Sequence, residues 1–278
     1  MATILPTSAR RFSVAGKNPP PDEYLPESDG KPMAETDVHR DLMMALLHAL
    51  EEFFREDPMT YVTGNIFVYY LDENGVRQPA VSPDIFVVRG VAKKERRIYK
   101  IEEEGRAPEV VIELTSTSTK VEDLVTKHYI YAGLGVQEYF LFDPYREALN
   151  SLHGFRLQGG EYVPLKGASL FSEVLGLELR VEERHLRLYD PRSRELLLTP
   201  KEAEAARRAA EKKAAAETKR AAAEAQRAVT ETKRAAAEAN RAAAAEAQVR
   251  QETAARQAAE SELARLREEI ARLRETKS

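Results

Sequence analysis

The chain has 278 residues, 46 acidic and 42 basic side chains, a net charge of −4 and no cysteine. The missing cysteine excludes a disulfide framework and thiolate chemistry, and five scattered histidines disfavour a zinc site. No apolar run approaches a membrane span, no secretory pattern opens the sequence and no Gly-rich phosphate loop occurs, so a cytoplasmic protein without nucleotide-driven chemistry is expected.

Composition changes sharply at Pro200. Every glycine, proline and aromatic residue lies at or before it, and alanine, glutamate, arginine and lysine dominate after it. Three parts follow: an irregular arm over 1–34, carrying Pro19, Pro20 and Pro21, a globular domain over 35–198, and a helical tail over 199–278. Residues 1–200 carry 24 basic and 32 acidic side chains, whereas 201–278 carry 18 and 14.

From Thr36 to about Phe54, Leu42, Met43, Leu46, Leu47, Leu50 and Phe53 recur at helical spacing, with Thr36 or Asp37 as the cap. This helix is expected to cover one face of a sheet. Two extended runs, Tyr61–Leu71 and Ala80–Val88, flank Asp72, Glu73, Asn74 and Gly75, and the Asn-Gly step signals a hairpin. Val110–Thr115 and Glu138–Asp143 read as core strands around a helix that contains Lys127. Thr119 and Glu122 have the spacing of a capping box, and Gly133 and Gly135 suit the helix end. Leu149–Leu157 and Glu161–Leu165 enclose Gly159 and Gly160 as a second hairpin. Hairpin, strand, helix and strand together predict an α/β (α+β) fold with a mixed sheet and helices on its faces.

In the tail, the nine residues Glu217–Ala225 recur unchanged at Glu231–Ala239, a period of two heptads. Leu263, Leu266, Ile270 and Leu273 then follow at spacings of three, four and three, as a coiled-coil seam requires. A long helix associating as a homodimer through about 249–275 is expected; the alternative is a lone helix sustained by the propensity of its residues.

Two acids stand in runs that should be buried. Glu113 lies among Val110, Val111, Ile112 and Leu114, and Asp84 precedes Ile85, Phe86, Val87 and Val88. A buried carboxylate is costly unless a cation or hydrogen bonds compensate. Two such carboxylates can hold a hard divalent cation, and a lysine can orient a water or offset charge on phosphate. Lys127 is the lysine candidate; its alternative reading is a helical pair with Asp123, four residues earlier. Backbone hydrogen bonds at strand ends are the corresponding alternative for the acids. Tyr129, Tyr131 and Tyr139 could donate to phosphate, although core or rim positions are commoner for aromatics. Lys93, Lys94, Arg96, Arg97 and Lys100 lie between the two acids and are a candidate patch for phosphate contacts, which a bound metal could also supply; a solvated loop or edge strand is the commoner reading of such a run.

These segments resemble the Uma2 (Uma-two) family, a restriction endonuclease group within the PD-(D/E)xK nuclease superfamily, over about residues 35–165. The resemblance rests on TDVHRDLMMALLHAL, Pro83-Asp84, Glu113 with Ser116, Lys127 four residues before Tyr131, and Gly135–Tyr139 leading to Asp143-Pro144. It implies a restriction endonuclease-like core acting on DNA with Mg²⁺ or Mn²⁺. Asp84, Glu113 and Lys127 would be catalytic, and Asp84, Glu113 and the Leu114 backbone carbonyl would be metal ligands. The usual superfamily lysine stands two residues after the glutamate, where this chain has Thr115; the family places it on the following helix, at Lys127, with Lys120 as the rival. In the superfamily a first-helix acid sometimes joins the metal, which draws attention to Glu51 and Glu52, although a solvated helix face is their simpler reading. The competing functional reading is a non-catalytic scaffold whose coiled coil mediates protein interaction, favoured by Thr115 and the acidic balance of the domain.

Overall fold

The structure is a computed structural model that describes residues 24–27, 36–115, 121–145 and 151–275, with the backbone alone at 121–124, 271 and 273–275. Most of the arm, Lys120, Ser116 and the Thr119 cap lie outside the described residues. The chain divides into two units, Met1–Ala205 and Ala206–Ser278.

The first unit is built on a six-stranded sheet in the order β1-β3-β5-β6-β7-β8. Its strands are β1 (Thr60–Thr63), β3 (Ile85–Arg89), β5 (Val110–Leu114), β6 (Glu138–Phe142), β7 (Leu152–Gln158) and β8 (Glu161–Pro164). The one-turn helix α2 (Ile101–Glu104) precedes β5. Within this sheet only β5 and β6 pair in parallel among the described residues, because the helix α3 (Val121–Leu134) carries the chain back between them. The remaining neighbours are antiparallel, so the sheet is mixed as expected.

Alternation along the strands separates two cores. Ile85, Val87, Val110, Ile112, Leu114, Phe140 and Phe142 face one side, where the helix α1 (Asp37–Phe53) packs through Leu42, Leu46 and Leu50. Phe86, Val88, Val111 and Tyr139 face the other, against Tyr131, Leu134 and Tyr99. Of the two cap candidates it is Thr36 that caps α1, its hydroxyl accepting the His39 amide at 3.2 Å, and Asp37 is the first helical residue.

Three expectations are corrected. The run Tyr61–Leu71 is not one strand: Asn65 takes a positive φ of 54°, and the chain breaks into β1 and the short β2 (Val68–Tyr69), which pairs in parallel with β4 (Tyr99–Lys100). The Asn-Gly turn does form, with Asp72 Oδ1 accepting the amides of Asn74 and Val76, but its arms meet only at the isolated bridges Leu71–Arg77 and Val68–Val81. Gly133 lies inside α3, and it is Gly135, at φ 81°, that follows its last residue.

Sequence reading missed a second, four-stranded antiparallel sheet in the order β12-β11-β10-β9. It comprises β9 (Leu170–Ser172), β10 (Leu177–Glu182), β11 (His185–Asp190) and β12 (Glu195–Leu196). Its leucines join α1 over the first core. The buried Glu138 carboxylate ties the sheets together: Arg156 donates to it at 2.9 and 3.1 Å, and Ser172 Oγ and the Glu173 amide donate from β9 and the turn after it.

The second unit is the continuation of α4 (Pro200–Glu275), a helix of 76 residues, about 114 Å long at 1.5 Å per residue. From Ala206 on, every described side chain is exposed. Among the described residues no helix is long and apolar enough to cross a membrane.

Candidate active site at the end of the mixed sheet

Strand register brings the two acids together. Ile85 pairs with Ile112 in the antiparallel β3-β5 ladder, so one further step sets Asp84 opposite Glu113. Period-two alternation places both on the face that carries Phe86, Val88 and Val111. Leu114 ends β5, and its amide donates to Asp84 Oδ2 at 2.7 Å; the carboxylate thus takes a strand-end N–H where the ladder stops.

Asp84 is held from two sides. Gly64 approaches so closely that a Cβ there would lie 1.9 Å from the Asp84 carbonyl oxygen, and the Asn65 amide donates to the Pro83 carbonyl at 2.9 Å. His39, in the first turn of α1, places Nε2 3.3 Å from Asp84 Oδ1. The 143–145 turn after β6 reaches the same corner, where the Tyr145 hydroxyl bonds the Thr36 hydroxyl at 3.0 Å.

Glu113 is only 3% exposed. Lys127 and Tyr131, one turn apart on α3, reach it together, as side chains spaced i and i+4 on one helix face can. Lys127 Nζ lies 3.1 Å from Glu113 Oε2 and the Tyr131 hydroxyl donates to Oε1 at 2.6 Å. Burial raises the Glu113 carboxyl to about 7 and nearby Asp84 adds to the rise, while Lys127 and the Tyr131 hydrogen bond oppose it. Burial, reinforced by Glu113, pushes the Tyr131 phenol well above its usual value, so it stays a donor.

The structure therefore brings together Asp84, Glu113, the Leu114 backbone and Lys127. It adds His39, and it gives Tyr131, singled out in the sequence as a phosphate donor or a core residue, a different part as hydrogen-bond donor to Glu113. The i and i+4 spacing of Lys127 and Tyr131 puts both on the side of α3 that meets this acid. Nothing in the local pattern marks His39, whose partner stands 45 positions away. Lys120 lies outside the described residues. Tyr129 is exposed and Tyr139 fully buried in the second core. Glu51 and Glu52 are exposed near the far end of α1, with Glu52 paired to Arg55.

The basic cluster stands elsewhere. Lys93 Nζ donates to the Phe54 and Arg55 carbonyls, at the C-terminal end of α1 and about 20 Å along that helix from His39. Arg96 makes a bidentate contact with Glu104 at 2.8 and 2.9 Å and lies 4.2 Å from the Tyr61 ring centroid. Lys94 pairs with Glu104, Arg97 with Glu27 and Lys100 with Glu103. Each cation has an acceptor, and Lys93, Lys94, Arg96 and Arg97 line an open groove with Glu51, Arg55 and Tyr61 whose lining does not include Asp84, Glu113 or Lys127.

Among the described residues no group of three or more His, Asp and Glu side chains is close enough to hold a metal ion by itself. The acid pair offers oxygen donors alone, which suits a hard cation that retains most of its water.

A mixed sheet with a β5-α3-β6 crossover, two carboxylates opposed at its end and a lysine reaching in from the crossover helix together define a restriction endonuclease-like α/β domain. The chain belongs to the Uma2 family, whose model, described as "Putative restriction endonuclease", matches residues 20–188. Among solved structures, a putative nuclease belonging to DUF820 from Anabaena variabilis ATCC 29413 is similar over 57% of this chain and 87% of its own, at 16% identity and a TM-score of 0.41. No curated protein matches the chain.

Proposed function

We propose that this protein is a divalent-cation-dependent endonuclease that hydrolyses phosphodiester bonds in DNA. The observation that carries the reading is the cross-strand meeting of Asp84 and Glu113 with Lys127 Nζ at 3.1 Å from the latter. Asp84, Glu113 and the Leu114 carbonyl are the proposed ligands of Mg²⁺ or Mn²⁺. The carbonyl belongs to this set because N–H and C=O of one strand residue face the same neighbour, and the Leu114 N–H already meets Asp84. A cation bound there would lower the pKa of a water and offset charge on the phosphate. Lys127 orients the attacking water or stabilises the phosphate oxygens, Tyr131 fixes the rotamer of Glu113, and His39 steadies Asp84.

A chain that associates through its tail and works in the cytoplasm belongs to the same reading; pairing of two domains suits cleavage of both strands. The scaffold reading is favoured by Thr115 and by the paired state of the 93–100 cations. Supercoiled plasmid incubated with Mg²⁺ or Mn²⁺ separates the two. Nicking or linearisation by wild type, lost in both Glu113→Gln and Lys127→Ala, is the expected result. Cleavage that survives Lys127→Ala would remove the lysine from the reaction, and no cleavage on any substrate form would favour the scaffold.

A further inference from the structure

Resting on the self-association reading above, we infer that the exposed C-terminal third of α4 is a parallel, in-register, two-stranded coiled-coil surface whose partner is a second copy of this chain. The apolar seam supplies the first half of the argument. Leu263 and Ile270 occupy a positions and Leu266 and Leu273 d positions of one heptad frame, and Val249 extends the a column. Leu263, Leu266, Ile270 and Val249 are 53%, 51%, 51% and 62% exposed, in a helix whose described side chains are all exposed from Ala206 on. The β-branched Val249 and Ile270 at a, with Leu266 and Leu273 at d, favour two strands over three or four, whereas Leu263 at a is neutral in this respect.

Charge at the flanking positions supplies the orientation. In this frame Glu262 and Glu269 are g residues, and Arg267 and Arg274 are the e residues five positions after each. A parallel, in-register pair sets g of one helix beside the following e of the other, so both glutamates meet arginines, twice over by symmetry. An antiparallel pair sets g against g and e against e, which opposes glutamate to glutamate and arginine to arginine. The single polar residue in the a column between 235 and 270 is Arg256, hydrogen-bonded to Glu260 of its own helix at 3.2 Å. A lone polar a residue disfavours slipped registers, in which it would face an apolar layer.

The alanine-rich stretch before this segment does not share the pattern. Its a column is alanine at 214, 221, 228, 235 and 242, but the d positions 217, 224, 231 and 238 are all glutamate, as is 252. Pairing is therefore centred on the segment after Glu252, where Ala259, Leu266 and Leu273 fill d. Parallel alignment sets the N-terminal ends of both α4 helices toward the same end of the pair, and each continues directly from a nuclease-like unit.

The cysteine-free sequence makes the test direct in the full-length chain. Wild type should sediment at twice its 31.3 kDa. Ala259→Cys, at d, should form a disulfide-linked dimer under mild oxidation at least tenfold faster than Ser261→Cys, at the outward f position. Glu262→Arg with Glu269→Arg should weaken self-association at least tenfold, and mixing with Arg267→Glu plus Arg274→Glu should restore pairing as a heterodimer. A monomeric wild type would overturn self-association itself while leaving plasmid cleavage to judge the nuclease. A dimer in which Ala259→Cys links no faster than Ser261→Cys would overturn the parallel register alone.

Discussion

Lys127→Met removes a charge from a buried pair while nearly preserving side-chain length, and the structure sets how its cost depends on pH. Glu113 ionises near 7 in the folded chain against 4.5 for an unperturbed carboxyl. A carboxyl raised on folding favours the folded state at low pH, and that contribution is lost as pH rises from about 4.5 through 7. Below 7 the wild-type Glu113 is protonated and Lys127 adds little through it. Above 7 the wild type ionises against Lys127 and its loss levels off, whereas the variant must go on holding a proton. Each further pH unit then costs the variant about 1 kcal/mol relative to wild type, or about 2 kcal/mol by pH 8.5. Urea unfolding of both proteins from pH 5.5 to 8.5, without divalent cation, measures this difference. It should be close to constant up to pH 7 and widen above it, and Glu113→Gln in both backgrounds should abolish the widening. A cost that is the same at pH 5.5 and 8.5 would refute the coupling of Lys127 to an ionising Glu113.

Two further outcomes follow from the same geometry. If Glu113 is a cation ligand as proposed, it must ionise to bind, so Mn²⁺ affinity measured by calorimetry should rise about tenfold per pH unit below 7 and flatten above it, as expected for one displaced proton; Asp84→Ala should abolish binding, and a pH-independent affinity would separate the metal from Glu113. Gly64→Ala places a methyl 1.9 Å from the Asp84 carbonyl, so the segment carrying Asp84 must shift. A loss of about 1–3 kcal/mol in unfolding together with at least tenfold weaker Mn²⁺ binding is the expected pair of results; loss of stability with unchanged binding would show that the site tolerates the shift.

Much of the molecule was legible in the sequence because local periodicity carried it. The 3.6-residue spacing from Leu42 to Phe53 and a cap at Thr36 or Asp37 specified α1, and the single acid in VVIEL identified both a buried strand and its costly residue. The change of composition at Pro200 marked the start of α4, because a segment without glycine, proline or aromatics and rich in alanine has strong helical propensity. The break at Asn65 was not legible, since an apolar run such as Tyr61–Leu71 reads as continuous strand until one residue adopts a left-handed conformation. The second sheet escaped for a related reason. Its strands are short and their burial comes from packing on α1, which local alternation does not record.

The candidate site divides along the same line. Sequence alone determined which groups are chemically expensive to bury, Asp84 and Glu113, and which lysine stands on the helix that follows. Tertiary structure decided that the β3-β5 register sets the two acids face to face, that one turn of α3 supplies both Lys127 and Tyr131, and that His39 at the start of α1 meets Asp84. It also decided that the basic run at 93–100 belongs to the opposite end of α1, spent on Glu104, Glu103, Glu27 and two carbonyls. The physical reason is that burial and ion pairing depend on distances across the sheet, and these are fixed by strand register and helix docking.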